Sequence, residues 1–453
     1  MFESLAQIFR MQDLRNRILF TLALLAVYRL GIFIPSPGVD RLAMADFFQD
    51  TQGTLLSLYN MFSGGALERF SVFVLGIMPY ISASIIMQIG QVMFPFIERL
   101  RAQGQTGMKK INQYTRYLTI AIAIVQSFGI SISLEQMTTM SGQPVVLEDG
   151  WGFRMMTVIT MTAGSCFVMW LGEQITERGV GQGASLIITA GIIAGLPSGV
   201  RNLMQSMSLG QVNLLEVTLL LLFMGLVVGF IVFVERGQYR VPIQYPKKVV
   251  GKQVYGGQST HLPLKVNVSG VLPPIFASSL MFFPATIGQL FPTTLFTAIA
   301  AAFVPGSYTY MVTYVILIVI FTFFYTAISF NPQDVADNLR RQGGYIPGIR
   351  PGKQTQEELD RILFRLTAGG AVYLSAVCIL PEILANSYNV PFYFGGTGLL
   401  IIVGVCMQTV SQIEGFMLTQ KYDGLSGPTK QTKGRRKTFQ ENQGRQKDAQ
   451  ESQ

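Results

Sequence analysis

Between Lys265 and Asp334 the chain carries no charged residue at all. Across all 453 residues only 13% are Asp, Glu, Lys or Arg, against about 25% in ordinary soluble domains. A single histidine, His261, leaves no pair from which an intramembrane Ser/His nucleophile or a histidine metal site is built. Three cysteines, Cys166, Cys378 and Cys406, lie far apart inside apolar runs, without the close spacing of metal or redox sites, and read as small packing residues. These shortages argue against a soluble enzyme and against a metalloprotein.

Apolar residues are abundant instead: 49% of the chain, with mean hydropathy +0.40. A bilayer span needs roughly 20 predominantly apolar residues. Ten candidate runs meet that need, at 18–34, 74–94, 115–134, 153–171, 183–200, 213–234, 270–290, 309–330, 366–386 and 397–416. The first follows Arg15 and Arg17, as in a signal peptide, but ends in "LGIFIPSPG" without a small-residue cleavage site, so it reads as a retained span.

Lys and Arg crowd the segments 95–114, 235–266 and 331–365 and are missing from 135–152, 291–308 and 387–396. By the positive-inside rule both termini face the cytoplasm, which suits an even number of spans. From about Asp423 the chain turns polar and basic, including "KGRRK", with too few apolar residues to bury a core, and a disordered tail is expected over 423–453.

The chain also repeats itself. "GIMPYISASIIM" at 76–87 and "GVLPPIFASSLM" at 270–281 share Gly, Pro, Ile, Ala, Ser and Met, and "GQGASLII" at 181–188 echoes "GTGLLIIV" at 396–403. Chance likeness between two apolar helices is the alternative, and the shared Pro and Ser placement argues against it. Two five-span halves, 1–205 and 206–422, follow. An odd number of spans per half inverts the second half relative to the first and places the functional pathway at the interface between them.

Carriers of ions or charged solutes keep ionisable groups inside the membrane; here the second, fifth, seventh and eighth spans have none. Arg29 and Glu216, near span ends, are expected to snorkel to the interface. "GIRPGKQT" at 348–355 lacks the Gly and the Ser or Thr of a phosphate loop, and "GVGQG" at 179–183 lacks the spacing of a dinucleotide motif; flexible loops and tight helix starts explain both better. The pathway is then lined by aliphatics. Ile77 and Ile81 stack on one helix face at i and i+4, and the repeat sets Ile275 opposite Ile81. A narrow ring of such residues excludes water by dewetting and makes no selective bond with its cargo. Ordinary helix packing is the competing explanation for any of them.

Six longer strings, "NMFSGGALERFSVFVLGIMPYISASIIMQ", "QYTRY", "WLGEQITERG", "QSTHLPLKVN", "FNPQDVADNLRRQGGYIPGIRPG" and "VPFYFGGTGLL", are similar to those of the SecY family, the central channel subunits of the bacterial Sec protein-export translocase. The resemblance covers roughly 1–422. It implies an all-α membrane protein of ten transmembrane helices in two inverted five-helix halves around an hourglass pore, in the bacterial inner membrane, without catalysis or cofactor of its own. By motif position the pore ring is Ile77, Ile81, Ile188, Ile275 and Ile401. The segment of about 55–70, with Asn60, Met61, Phe62, Ser63, Gly64 and Gly65, is implied to be a removable plug rather than a plain re-entrant turn.

A lateral gate between the second and seventh spans is implied at Ser82, Gln88, Gln126, Ser278 and Phe283, although polar groups at that depth equally bond carbonyls of their own helix. The two basic loops resemble those that dock a SecA-type motor ATPase or the ribosome and its rRNA; Arg240, Lys248, Lys252, Arg340, Arg341 and Arg350 are the candidates, and the positive-inside rule alone is the plainer reading. Further implied partners are small SecE- and SecG-type membrane subunits, signal peptides and nascent chains, and membrane lipid. A secondary transporter and a membrane scaffold are the rival functions, disfavoured by the missing intramembrane charges and by the soft segment ahead of the second span.

Overall fold

The computed structural model describes residues 11–40, 43–44, 60, 63–137, 144–210, 213–245, 248–250, 253–255, 259–290, 307–388 and 396–425. Met61, Phe62, Lys252 and the tail beyond 425 lie outside these residues. So do residues 291–306.

Helix α1 (Gln12–Gly31) is followed by α2 (Met78–Met93), α3 (Pro95–Ala102), α4 (Gln105–Gln136), α5 (Trp151–Arg178) and α6 (Gly183–Ser208). The second half comprises α7 (Leu214–Arg236), α8 (Leu272–Leu290), α9 (Tyr308–Ser329), α10 (Pro332–Arg341), α11 (Lys353–Tyr388) and α12 (Gly396–Leu425). Seven of these, α4 to α7, α9, α11 and α12, are long and apolar enough to cross a membrane, and the bent pair α2–α3 makes an eighth. Helices α1 and α8 fall outside that count; with them, a helix stands at each of the ten spans expected from the sequence. Helix α1 spans only 20 residues and includes Asp13, Arg15, Arg17 and Arg29, which dilute its hydropathy. Helix α11, with 36 residues, extends about 54 Å at 1.5 Å per residue and so projects well past a hydrocarbon core of about 30 Å.

Local chemistry sets the helix ends. Helix α2 begins at Met78, four residues after the apolar run opens, because residues 63–77 wind as turns with Gly64, Gly65 and Gly76 at positive φ. Pro79 sits in its first turn, where the missing N–H costs nothing. Phe94 turns extended ahead of Pro95, and the chain bends by 95° into α3. Asn213 and Glu216 form a capping box at the start of α7, so Glu216 serves its own helix end.

Neighbour relations repeat between the halves. In the first, α2 packs on α4, α4 on α5, α5 on α6, and α6 on α1; in the second, α8 packs on α9, α9 on α11, α11 on α12, and α12 on α7. The halves meet where α8 packs on α2 and α4 and, on the other side, where α12 packs on α6. One buried apolar cluster, from Tyr28 of α1 to Val405 of α12, runs through both halves.

The loop expected at 235–266 is folded. Strand β1 (Gln238–Gln244) pairs antiparallel with β4 (Ser259–Lys265), and β2 (Lys248–Val250) pairs with β3 (Gln253–Tyr255) between them. Val241 and Leu264 from the outer pair bury against Ile346 and Leu359 of the second basic segment, forming a small separate core. Gln244 and Tyr345 exchange backbone hydrogen bonds of 2.9 and 3.0 Å, so the two basic segments join into one module.

Candidate functional site

Four helices, two from each half, carry the five isoleucines singled out in the sequence. Ile77 is the N-cap of α2, Ile81 lies one turn into it, and Ile188, Ile275 and Ile401 come from α6, α8 and α12. All are 5% exposed or less and belong to a single cluster. Their side chains offer no donor, acceptor or charge. All five therefore belong to one buried apolar cluster, which runs through the junction between the halves.

The glycine-rich segment sits against that junction. Ala66 is fully buried in the same cluster, and Ser63 is 4% exposed. Gly64 and Gly65 have φ of 71° and 83°, and a Cβ on Gly64 would stand 2.9 Å from Gly191 Cα, so α6 and this turn touch backbone to backbone. Asn60 closes the turn: its carbonyl accepts from the Gly65 N–H at 2.8 Å and the Ser63 hydroxyl at 3.0 Å, and its side-chain oxygen accepts from the Glu68 N–H at 3.1 Å. Met61 and Phe62 are outside the described residues.

Arg29 has a partner that the sequence does not disclose. Its guanidinium donates to the Gly64 carbonyl at 2.7 Å, and the neighbouring Tyr28 hydroxyl donates to the Ser63 carbonyl at 3.2 Å. Arg29 and Arg69 also both lie over the Phe33 ring, at 5.8 and 4.3 Å from its centroid. Two adjacent residues of α1 thus hold the turn by its backbone. Periodicity could not reveal this, since a carbonyl acceptor leaves no mark in the sequence. A charge-assisted hydrogen bond contributes about 1.5–3 kcal/mol. Arg29→Met is therefore expected to raise maleimide labelling of a cysteine introduced at Ser63 by about tenfold, read as a labelling rate; an unchanged rate removes Arg29 from this role.

At the seam between α2 and α4 on one side and α8 on the other, Ser82 is buried and Ser278 donates to the Ile275 carbonyl of its own helix at 2.9 Å. Ser279 does the same at 2.8 Å and reaches Met78 Sδ of α2 at 3.8 Å, a contact that no sequence pattern singles out. Gln88 donates to Ser84 Oγ at 3.2 Å. The side-chain oxygens of Gln88 and Gln126 are buried and accept no hydrogen bond among the described residues. Phe283 lies on α8 at backbone level. Apart from the weak Ser279–Met78 contact, Ser278, Ser279 and Gln88 thus bond within their own helices, and the Gln88 and Gln126 oxygens accept no hydrogen bond among the described residues.

Of the basic candidates, Arg240 is exposed on β1, Arg340 and Arg341 are exposed in the last turn of α10, and Arg350 is exposed just before α11. Lys248 is placed on β2, and Lys252 is outside the described residues. The backbone pairing of Gln244 with Tyr345 sets these arginines on one joined module.

The family model for SecY matches residues 71–410. The chain belongs to the SecY family. The protein translocase subunit SecY of Escherichia coli (strain K12) is 46% identical over 415 residues, which cover 91% of this chain and 93% of that protein. Among solved structures, one of a SecY whose plug domain stabilises the closed state of the translocation channel and maintains a membrane seal aligns with a TM-score of 0.61 at 16% identity, over 91% of this chain and 94% of that one. Sec61 in the canine ribosome-channel complex aligns with a TM-score of 0.58 at 15% identity, over 91% and 94%. At those identities the structures speak for the fold, and the E. coli relative speaks for the activity. A SecY-family chain of this kind is a multi-pass membrane subunit of a protein translocase, a channel component rather than a catalyst.

Proposed function

We propose that this SecY-family chain conducts unfolded secretory polypeptides through the waist formed by Ile77, Ile81, Ile188, Ile275 and Ile401, with the Asn60–Gly65 turn as its plug. The observation that supports the reading is that five buried isoleucines, carried by four helices from both halves, belong to one apolar cluster together with Ala66. A ring without donors or charge passes any sequence and, when narrow, stays dry. The seam of Ser82, Gln88, Gln126, Ser278 and Phe283 serves as the lateral exit to lipid and the seat of signal peptides. Small polar groups at a helix seam hold weakly enough to part.

The chain has no nucleotide motif, so a partner supplies the driving energy. The joined basic module, with Arg240, Lys248, Lys252, Arg340, Arg341 and Arg350, is the docking surface for a SecA-type ATPase or for the ribosome, whose acidic surface or rRNA phosphates suit it. In this reading the halves are 1–205 and 206–422, both termini and the module face the cytoplasm of a bacterial cell, the membrane is the inner membrane, and SecE- and SecG-type subunits complete the complex.

The test is uptake of a signal-bearing substrate into proteoliposomes containing the reconstituted complex, a purified motor ATPase and ATP, scored by protease protection. ATP-dependent protection is expected, and Arg350→Glu should lower it by about tenfold through charge reversal at the docking surface while the complex stays folded. Transport of a small solute with no polypeptide uptake would replace the conduit with a carrier. Undiminished uptake by the Arg350→Glu complex would take that residue off the docking surface.

A further inference from the structure

The "GVGQG" stretch between α5 and α6 has no part in the reading above, yet its backbone is bound in an unusual way. Three of its amides are satisfied by side chains from three different helices. Val180 N–H donates to Thr21 Oγ1 of α1 at 3.0 Å, Gly181 N–H to Gln412 Oε1 of α12 at 2.8 Å, and Gly183 N–H to Thr176 Oγ1 of α5 at 2.9 Å. Two of these acceptors belong to the first half. Only Gln412 comes from the second.

The turn has little room to adjust. Gly181 is buried with φ of 90°, and a Cβ there would stand 2.7 Å from Leu186 Cδ1 and 3.2 Å from Thr409 Oγ1 of α12. A Cβ on Gly179 would stand 2.4 Å from Thr21 Oγ1. The Gly181–Gln412 bond therefore joins a stiff point of one half to one residue of the other, where α6 and α12 pack side by side.

From this bond α6 reaches Ile188 seven residues on, and α12 reaches Ile401 eleven residues back. Eleven residues make three turns and about 20°, so Gln412 and Ile401 share one face of α12, roughly 16 Å apart along its axis. We infer that Gln412 is a positioning residue: it pins the axial register of α12 against α6 and so sets the height at which Ile401 meets Ile188 in the waist. This rests on the waist reading. Loss of the acceptor frees α12 to slide, and each residue of slip moves Ile401 by about 1.5 Å along the axis.

The experiment measures ion conductance of the resting complex, reconstituted with its partner subunits and without substrate, for wild type, Gln412→Met, Gln412→Asn, Gln412→Glu and Ile401→Asn. Methionine keeps the shape and removes the acceptor, asparagine draws the amide back by a methylene, and glutamate keeps an oxygen in place. Gln412→Met and Gln412→Asn should each leak about fivefold more than wild type, the effect of one lost hydrogen bond on the closed state, with Gln412→Glu close to wild type. Equal leak from the glutamate variant, or no leak from both the methionine and asparagine variants while Ile401→Asn leaks, overturns the inference. If Ile401→Asn itself is tight, the waist reading falls and the register pin falls with it.

Discussion

Asparagine at both Ile81 and Ile275 should make resting complexes conduct ions about tenfold or more above wild type, because a closed apolar waist holds back ions only while it stays dry. The two side chains are 5% and 2% exposed and come from opposite halves, one from α2 and one from α8. A carboxamide buried without a partner costs about 1–3 kcal/mol on the mutational scale. Partners are scarce here: Ile77, Ile188 and Ile401 present only carbon, and the Ile275 carbonyl already accepts from Ser278 and Ser279. Water is the remaining way to satisfy the two amides, so the waist wets. Ile81→Leu with Ile275→Leu keeps the lining apolar and should stay tight, which separates hydration from misfolding. Wild-type conductance from the asparagine pair, in complexes present at normal amounts, would remove both residues from the seal.

The residues of the proposed waist stand out in the sequence for a physical reason. Ile77, Ile81 and Ile275 stood out through a repeat, and a repeat records fold symmetry directly, since the pairing of α2 with α4 recurs as that of α8 with α9. The ten spans were legible for a similar reason: a bilayer demands long apolar runs, and composition alone displays them. Short-range details were less accessible. The strands at 238–244 and 259–265 each contain a proline, Pro242 and Pro263, and expose Gln238, Tyr239 and Arg240, so their alternation is blurred; only Val241 and Ile243 of β1 face inward. The pairing of Gln244 with Tyr345 joins residues about a hundred apart through backbone atoms, for which no side-chain pattern exists.

Backbone groups, as acceptors or as donors, hid other features too. The position of Arg29 near a span end fits snorkelling, but nothing in the sequence points to its partner, the Gly64 carbonyl. Likewise "GVGQG" was recognisable as a tight turn, but not as the place where Thr21, Thr176 and Gln412 converge. In both cases the sequence shows the donor or the glycine and conceals the other end of the bond.

Gly183→Val should be among the most damaging single changes to the fold. A Cβ at that position would stand 1.9 Å from the Gly172 carbonyl oxygen, 2.7 Å from its carbon and 2.9 Å from its Cα, all backbone atoms of α5 that no rotamer change can move. Relief requires α5 and α6 to separate by about 1 Å or more, a displacement that forfeits much of the dispersion contact along their shared face. It also strains the Gly183 bond to Thr176 and lifts Gly172 away from Ile77 and Ile187, whose methyl carbons lie 3.2 and 3.5 Å from where a Cβ on Gly172 would sit. Overpacking typically costs 1–3 kcal/mol where side chains can yield, and a rigid backbone contact belongs at or above the top of that range. Against a typical net stability of about 5–15 kcal/mol, such a loss is expected to appear as degradation of the chain in cells and a lowered unfolding midpoint in detergent. Gly152→Val, in the exposed first turn of α5 with no atom within 4 Å of its Cβ, is the matched control and should change neither. If the two variants accumulate equally and melt together, the close backbone approach of α5 and α6 is not what holds this corner of the first half.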